Sequence, residues 1–235
     1  MNVLVGGGSG GTGLALVERL LQNPAVERID ATWRSSAPPV THPKLHWHQA
    51  DLSDEAQVIA LADRLPLLHR SILATGLLHN ASHTPEKTIR RLDPGFFIES
   101  MRANVVPTLL LARHLEPKLR HAEPSVFAAL SARVGSIGDN RRGGWYSYRA
   151  SKAALNMALK TLAIEWRMRL PRCSVAALHP GTVDTPLSAP FQAGVAKGQL
   201  FTADDAAGKL LAVIDQLSPE NSGQFWSWDG RPIPW

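Results

Sequence analysis

The sequence predicts an α/β fold, a single Rossmann-type doubly wound parallel β-sheet of about seven strands with helices on both faces. Three observations predict it. Short β-rich runs alternate with helical stretches along all 235 residues. Several runs, such as Val126-Phe127-Ala128-Ala129-Leu130, are continuously apolar, as parallel strands buried on both faces must be. The first run passes through a glycine-rich turn directly into a helix, the start of a βαβ unit.

Strand-like runs fall at 2–5, 28–33, 44–48, 67–74, 125–130, 174–178 and 224–227. Helical stretches separate them at 14–22, 55–65, 96–120, 147–169 and 203–217. The segment 35–43 holds three prolines but is too short for a domain linker. Residues 186–200 are rich in Gly and Ala and lack periodicity, and are expected to form a mobile loop over a substrate. With 44% apolar and 19% charged residues, 1–235 is read as one globular domain. No run approaches the ~18 apolar residues of a membrane span. Cys173 stands alone, so neither a disulfide nor a cysteine zinc site is expected, and a reducing, cytoplasmic setting is. The formal charge of +5 is dispersed in single arginines and pairs such as Arg90/Arg91 and Arg141/Arg142. It forms neither a basic run nor a recognised nucleic-acid motif, so no nucleic-acid partner is expected.

Chemistry is written first in the turn Gly6-Gly7-Gly8-Ser9-Gly10-Gly11-Thr12-Gly13. Gly7, Gly11 and Gly13 let the chain turn tightly and bring backbone amides and a helix N-terminus onto a pyrophosphate, with Gly8, Ser9 and Thr12 beside them. The lysine of a phosphate-binding P-loop is missing. After the second strand, where an acidic residue would receive the ribose hydroxyls of NAD, stands Arg34. Arginine pairs with a ribose phosphate, so NADP(H) is the expected cofactor, with NAD(H) the second choice. Asp51 and Leu52 end the third strand near an adenine position, although Asp51 or Ser53 serves equally as a helix cap.

The sharpest pattern is Tyr148-Arg149-Ala150-Ser151-Lys152, opening an alanine-rich helix. Residues i and i+4 share a helix face, so phenol and ammonium point into one space. A free phenol titrates near ~10, and an adjacent cation lowers that value, which makes the pair a tuned proton donor.

The glycine turn, the Tyr148/Lys152 pair and His179-Pro180-Gly181-Thr182-Val183-Asp184-Thr185-Pro186 together resemble the short-chain dehydrogenase/reductase family over essentially the whole chain. Its shorter carbonyl-reductase and C-factor branch is suggested by the segments ATGLLH, SARVGSIGDN and GGWYSYRASKAALN. The family's TGxxxGxG is met with Gly6 in place of threonine. Its NNAG segment appears as Leu73-Ala74-Thr75-Gly76, without the asparagines. The resemblance implies that Ala74, Thr75 and Gly76 border the cofactor. It also implies that Pro180 and Gly181 shape the turn, and that Val183 and Thr185 meet the nicotinamide amide. Asn104 is picked out as the asparagine that organises a helix and a lysine-linked water. The family's SSxxG is SARVG here, placing Ala132 where the active serine stands. Three alternatives stay open: Ser131 reaches the substrate oxygen, Ser136 does, or the contact is weakened. Ser131 is taken as the candidate.

The reaction so implied exchanges hydride between nicotinamide and a carbonyl or secondary alcohol, with Tyr148, Lys152, Asn104 and Ser131 as catalytic residues. Small-molecule carbonyl reduction is the expected direction. The rival is an NADP(H)-binding sensor that has lost catalysis. His79, Trp145, Tyr146 and the 186–200 loop are expected to line the pocket. Arg141 and Arg142 either border it or are simply solvated. Trp226 and Trp228 fall on alternate strand positions, facing a subunit contact or the core. Family habit implies a homodimer or homotetramer, with the helices bearing Asn104 and Tyr148 paired across subunits.

Overall fold

The structure, a computed structural model, describes every residue except Ala37 and Pro39, so that part of the proline-containing segment lies outside the described residues. In chain order the elements are β1 Asn2–Gly6, α1 Gly11–Leu21, β2 Arg28–Trp33, β3 Leu45–Gln49 and α2 Glu55–Arg64. β4 Arg70–Leu73, α3 Pro94–Asn104, α4 Val106–Leu119, β5 Ser125–Leu130 and α5 Tyr146–Arg169 follow. The chain closes with β6 Cys173–His179, β7 Thr182–Val183, β8 Leu200–Phe201, α6 Ala203–Ile214 and β9 Gln224–Ser227.

Seven strands form one sheet in the order β3-β2-β1-β4-β5-β6-β9, every neighbouring pair parallel. The winding reverses between β1 and β4, and sheets of this kind take ligands in the crevice beyond the C-terminal ends of the strands at that point. Both faces are buried because alternate residues of each strand serve opposite sides. Leu4, Leu73, Phe127, Ala129, Val175 and Ala177 pack with Leu111 and Leu115 of α4 and Leu155, Leu159 and Trp166 of α5. Val3, Val5, Ile29, Ile72, Ala128 and Leu178 pack with Leu16, Val17 and Leu20 of α1 and Leu210 and Val213 of α6. A strand apolar on both faces reads as the unbroken run seen in the sequence.

The helices expected around 96–120 are α3 and α4, parted at Val105. Pro107 enters the first turn of α4, where its missing N–H costs nothing, and Val105 at the junction departs from helical geometry with φ −115°. Asp93 caps α3 by accepting from the Phe96 amide at 2.7 Å. The expected strand at 67–74 shortens to β4, because Leu68 spends its amide on the Lys118 carbonyl at the end of α4. Between β7 and β8 the loop is tied at both ends by their short parallel ladder and carries a 3-10 turn at Ala189–Gly194. Trp226 packs against the core, while Trp228 meets Phe201 edge-on beneath the Lys209 ammonium.

Candidate active site

The glycine turn is tight for steric reasons that can be read atom by atom. A Cβ on Gly13 would lie 2.1 Å from the Gly7 carbonyl oxygen, so α1 can only begin this close to the turn with hydrogen at that position. Gly7 adopts φ +75° and runs against the backbone of Ala74 and Thr75, while its amide donates to the Thr32 hydroxyl at 2.8 Å. Gly8 lies on Ala31 and Trp47. Gly11 is roofed by Thr185, whose Cγ2 would be 2.5 Å from any added Cβ. No side chain caps α1 and no acidic residue stands in its first turn. The amides at its start are therefore left for an anion, and Ser9 and Thr12 border them half-buried. This cradle fits a dinucleotide pyrophosphate.

Arg34 stands exposed just past β2, followed by exposed Ser35 and Ser36, with its carbonyl accepting from Gln49 Nε2 at 3.3 Å. Asp51 is committed to its own turn, its Oδ1 accepting from the Ser53 amide at 2.9 Å and the Ser53 hydroxyl at 2.8 Å. Burial pulls the Asp51 carboxyl upward, but those bonds and the charges of Arg34 and Arg102 outweigh it and hold it below the usual carboxylate range. Asp54, not Asp51 or Ser53, caps α2. Leu52 turns its side chain into the core beneath Gly6, so only its backbone can face a ligand.

At the C-terminal ends of β4 and β5 the catalytic candidates converge. Tyr148 and Lys152 are both buried on α5, and Lys152 Nζ lies over the tyrosine ring, 5.8 Å from its centroid. The same Nζ donates to the Leu130 carbonyl at 2.9 Å. Both Nζ and Asn104 Oδ1 stand 3.6 Å from where a Cβ on Gly76 would project. Asn104 Oδ1 accepts from the Leu77 amide at 2.7 Å, and its Nδ2 donates to the Leu77 carbonyl and to Ser151 Oγ, each at 2.9 Å. Ser151 in turn donates to the Tyr148 carbonyl at 2.9 Å. Ser151 was not singled out in the sequence, although its position three residues after Tyr148 on the same helical face is a signal that could have found it.

Burial sets the acidity of the pair. It pushes the Tyr148 phenol up and draws Lys152 down to about 8. The net lowering expected of the phenol is therefore corrected: with Nζ engaged by the Leu130 carbonyl and lying over the ring, burial of the phenol prevails. The phenol is held protonated through neutral pH, the form that donates.

Both serine candidates have hydrogen-bond partners within the fold. Ser131 Oγ donates to Asn156 Oδ1 at 2.6 Å inside the core, and Ser136 Oγ donates to the Pro234 carbonyl. Asn156 Nδ2 has no partner beside this contact, so the amide can equally donate to the Ser131 hydroxyl, and the three alternatives for the substrate oxygen stay open. Of the expected pocket residues, Trp145 contacts Tyr148 edge-on with ring centroids 6.3 Å apart. Phe191 packs on Trp145 at 5.1 Å and on His79 at 5.7 Å. Tyr146 is exposed, as are Arg141 and Arg142. Pro180 and Gly181 make the turn into β7, where Gly181 has φ +80° and lies against Phe201, and Val183 is buried. His179 is half-buried, its Nδ1 accepting from the Arg133 amide at 3.3 Å, and desolvation with the nearby Arg133 charge lowers its pKa to about 4. Among the described residues no group of His, Cys, Asp and Glu is placed to hold a metal ion.

Comparison with known proteins adds to this geometry. Residues 1–196 match the family model described as short chain dehydrogenase. A 1-hydroxy-2-glutathionyl-2-methyl-3-butene dehydrogenase of Rhodococcus sp. is 33% identical over 79% of this chain and 78% of its own length. The C-signal protein of Myxococcus xanthus is 36% identical over 56% of this chain and 74% of its own. Among solved structures, an NADPH-bound carbonyl reductase from chicken fatty liver superposes with TM-score 0.85 at 28% identity, covering 100% of this chain and 94% of that one. The carbonyl reductase Sniffer of D. melanogaster has the same fold, with TM-score 0.85 at 23% identity over 100% and 99% of the two chains.

The depressed Lys152 carries a stability signature. A base whose folded pKa lies below its unfolded value disfavours the native state at neutral pH, and that penalty is relieved as pH rises from about 8 toward 10.5. Lys152→Met should therefore melt higher than the wild type at pH 7, and the gap should narrow as pH rises toward 10, read by thermal melts across that range.

Proposed function

The chain belongs to the short-chain dehydrogenase family and is an oxidoreductase with a nicotinamide cofactor; from that premise we propose that it reduces a small carbonyl compound with NADPH, residues 1–235 acting as one nucleotide-binding domain. The observation that carries this reading is a buried, protonated Tyr148 beside Lys152 on the C-terminal edge of the sheet, at the crevice where the glycine cradle ends.

The residues divide the work by position. Gly7, Gly8, Ser9, Gly11, Thr12 and Gly13 would hold the pyrophosphate through the uncapped start of α1. Ala74, Thr75, Gly76, Asp51 and the backbone of Leu52 would border the adenosine side. Arg34 with Ser35 and Ser36 would take the ribose phosphate, and Pro180, Gly181, Val183 and Thr185 would bound the nicotinamide end. The cofactor, when bound, supplies the hydride. Tyr148 donates its proton to the oxygen of the carbonyl as charge grows there, and the Lys152 ammonium stabilises the phenolate left behind. Asn104 and Ser151 keep that pair in place through the loop after β4. NADPH and carbonyl groups named in similar proteins support the same choices. Ile98, Leu109, Met157, Ile164 and Met168 leave apolar groups exposed on α3, α4 and α5, which supports pairing of these helices between subunits. No helix among the described residues is long and apolar enough to cross a membrane.

The displaced serine and the absent asparagines of the segment after β4 favour the sensor reading as the alternative. Titration with NADPH followed by turnover assays on aldehydes, ketones and quinones separates them: binding without turnover selects the sensor. Tyr148→Phe should lower kcat by roughly a thousandfold or more while NADPH affinity is kept, since it removes only the proton; unchanged NADPH oxidation would overturn the assignment. Arg34→Asp should reverse the ratio of NADPH to NADH affinity in fluorescence titrations. Ala132→Ser should raise kcat/KM for unactivated ketones by about tenfold or more, by supplying an oxygen donor.

A further inference from the structure

The 24-residue helix α5 begins without a cap of its own: its first flanking residue is Trp145, no side chain of that residue accepts a hydrogen bond, and its first turn has no acid. The cap comes from far away in sequence. Glu86, in the segment between β4 and α3, is 4% exposed, and its carboxylate accepts from both the amide (3.1 Å) and the hydroxyl of Ser147. Its carbonyl oxygen accepts from the Trp145 amide at 2.5 Å.

The turn so held is costly to keep. Trp145 has φ 55°, the one positive value of a non-glycine residue among the described residues, and it follows Gly143 and Gly144 at φ 61° and 67°. A bulky residue in the left-handed region persists only where surrounding contacts impose it. Glu86 imposes it from one side, and Arg149 from the other through Nε to the Gly144 carbonyl at 3.0 Å and Nη1 to the Val134 carbonyl at 3.2 Å. The consequence falls on the reacting space, because Tyr148 follows Ser147 directly and the Trp145 ring faces both Tyr148 and Phe191.

We propose that Glu86 is a positioning residue: by capping α5 and fixing the left-handed turn at Trp145, it sets where the Tyr148 phenol stands and how the aromatic wall beside it is placed. It acts through Ser147 and Trp145 and touches no reacting atom. The inference rests on the carbonyl-reductase reading for its kinetic arm alone. A negative charge at this helix start is favoured by the amides it faces, and its local loss leaves the glycine cradle on α1 untouched.

The test compares Glu86→Ala and Glu86→Gln with the wild type in three readouts: amide exchange of 145–148 by mass spectrometry, NADPH dissociation constant, and kcat for NADPH oxidation with 4-nitrobenzaldehyde. Glu86→Ala should speed exchange in that segment and lower kcat roughly ten- to hundredfold, a misplacement effect, with NADPH affinity held within about twofold. Glu86→Gln, whose amide oxygen still accepts from Ser147, should recover much of the loss. Unchanged kcat in Glu86→Ala overturns the proposal, as does a parallel fall of kcat and NADPH affinity that Glu86→Gln fails to rescue. If the wild type itself turns over no carbonyl compound, the functional reading fails, and the exchange rates decide whether Glu86 holds the turn.

Discussion

The carboxamide of Asn104 is the joint on which the site depends. One side chain at the end of α3 satisfies both backbone groups of Leu77 and passes a hydrogen bond to Ser151, which passes one to the Tyr148 carbonyl. Three separate pieces of chain are thereby locked together: the loop after β4, the last turn of α3 and the first turns of α5. A buried carboxamide stripped of any of these partners would pay the full cost of desolvation, so the arrangement is rigid. Lys152 and Gly76 meet beside this joint, and for that reason the cation, the phenol and the cofactor crevice occupy one place.

Rigidity of this kind suits a reaction in which a proton is delivered to one atom. The glycine cradle works by the same logic with sterics in place of hydrogen bonds: Gly13 must lack a side chain because the Gly7 carbonyl is already there. Both devices put fixed dipoles or donors where charge appears, and neither requires reorganisation during turnover. Ser131 and Ser136, the two serines nearest in sequence to the family position held by Ala132, bond to Asn156 and Pro234.

Much of this was legible in one dimension. The seven sheet strands, the glycine turn and the Tyr148/Lys152 pair are all local patterns, and local patterns survive folding because strand pleat and helix pitch are the same everywhere. Two readings did not survive in full. The strand expected at 67–74 shortened to Arg70–Leu73, since Leu68 gives its amide to Lys118, a partner fifty positions away that no local pattern shows. The role of Ser131 could not be read from spacing because a hydroxyl at a strand end can turn either way, and its neighbour Asn156 lies on a helix twenty-five positions later. The acidity of Tyr148 was expected from its charged neighbour and is governed instead by burial, a quantity that no spacing reveals.

By itself, then, the sequence determined the fold class, the tight glycine turn and the placing of Tyr148 and Lys152 on one helical face, because each is encoded by residues within a turn or two of one another. The tertiary structure alone decided which polar groups face the cleft and which are consumed elsewhere. Asn104 with Ser151, Ser131 with Asn156 and Glu86 with Ser147 are contacts across 47, 25 and 61 positions. Hydrogen-bond partners at such separations are chosen by how layers stack, and that choice is made only when the two faces of the sheet are buried together.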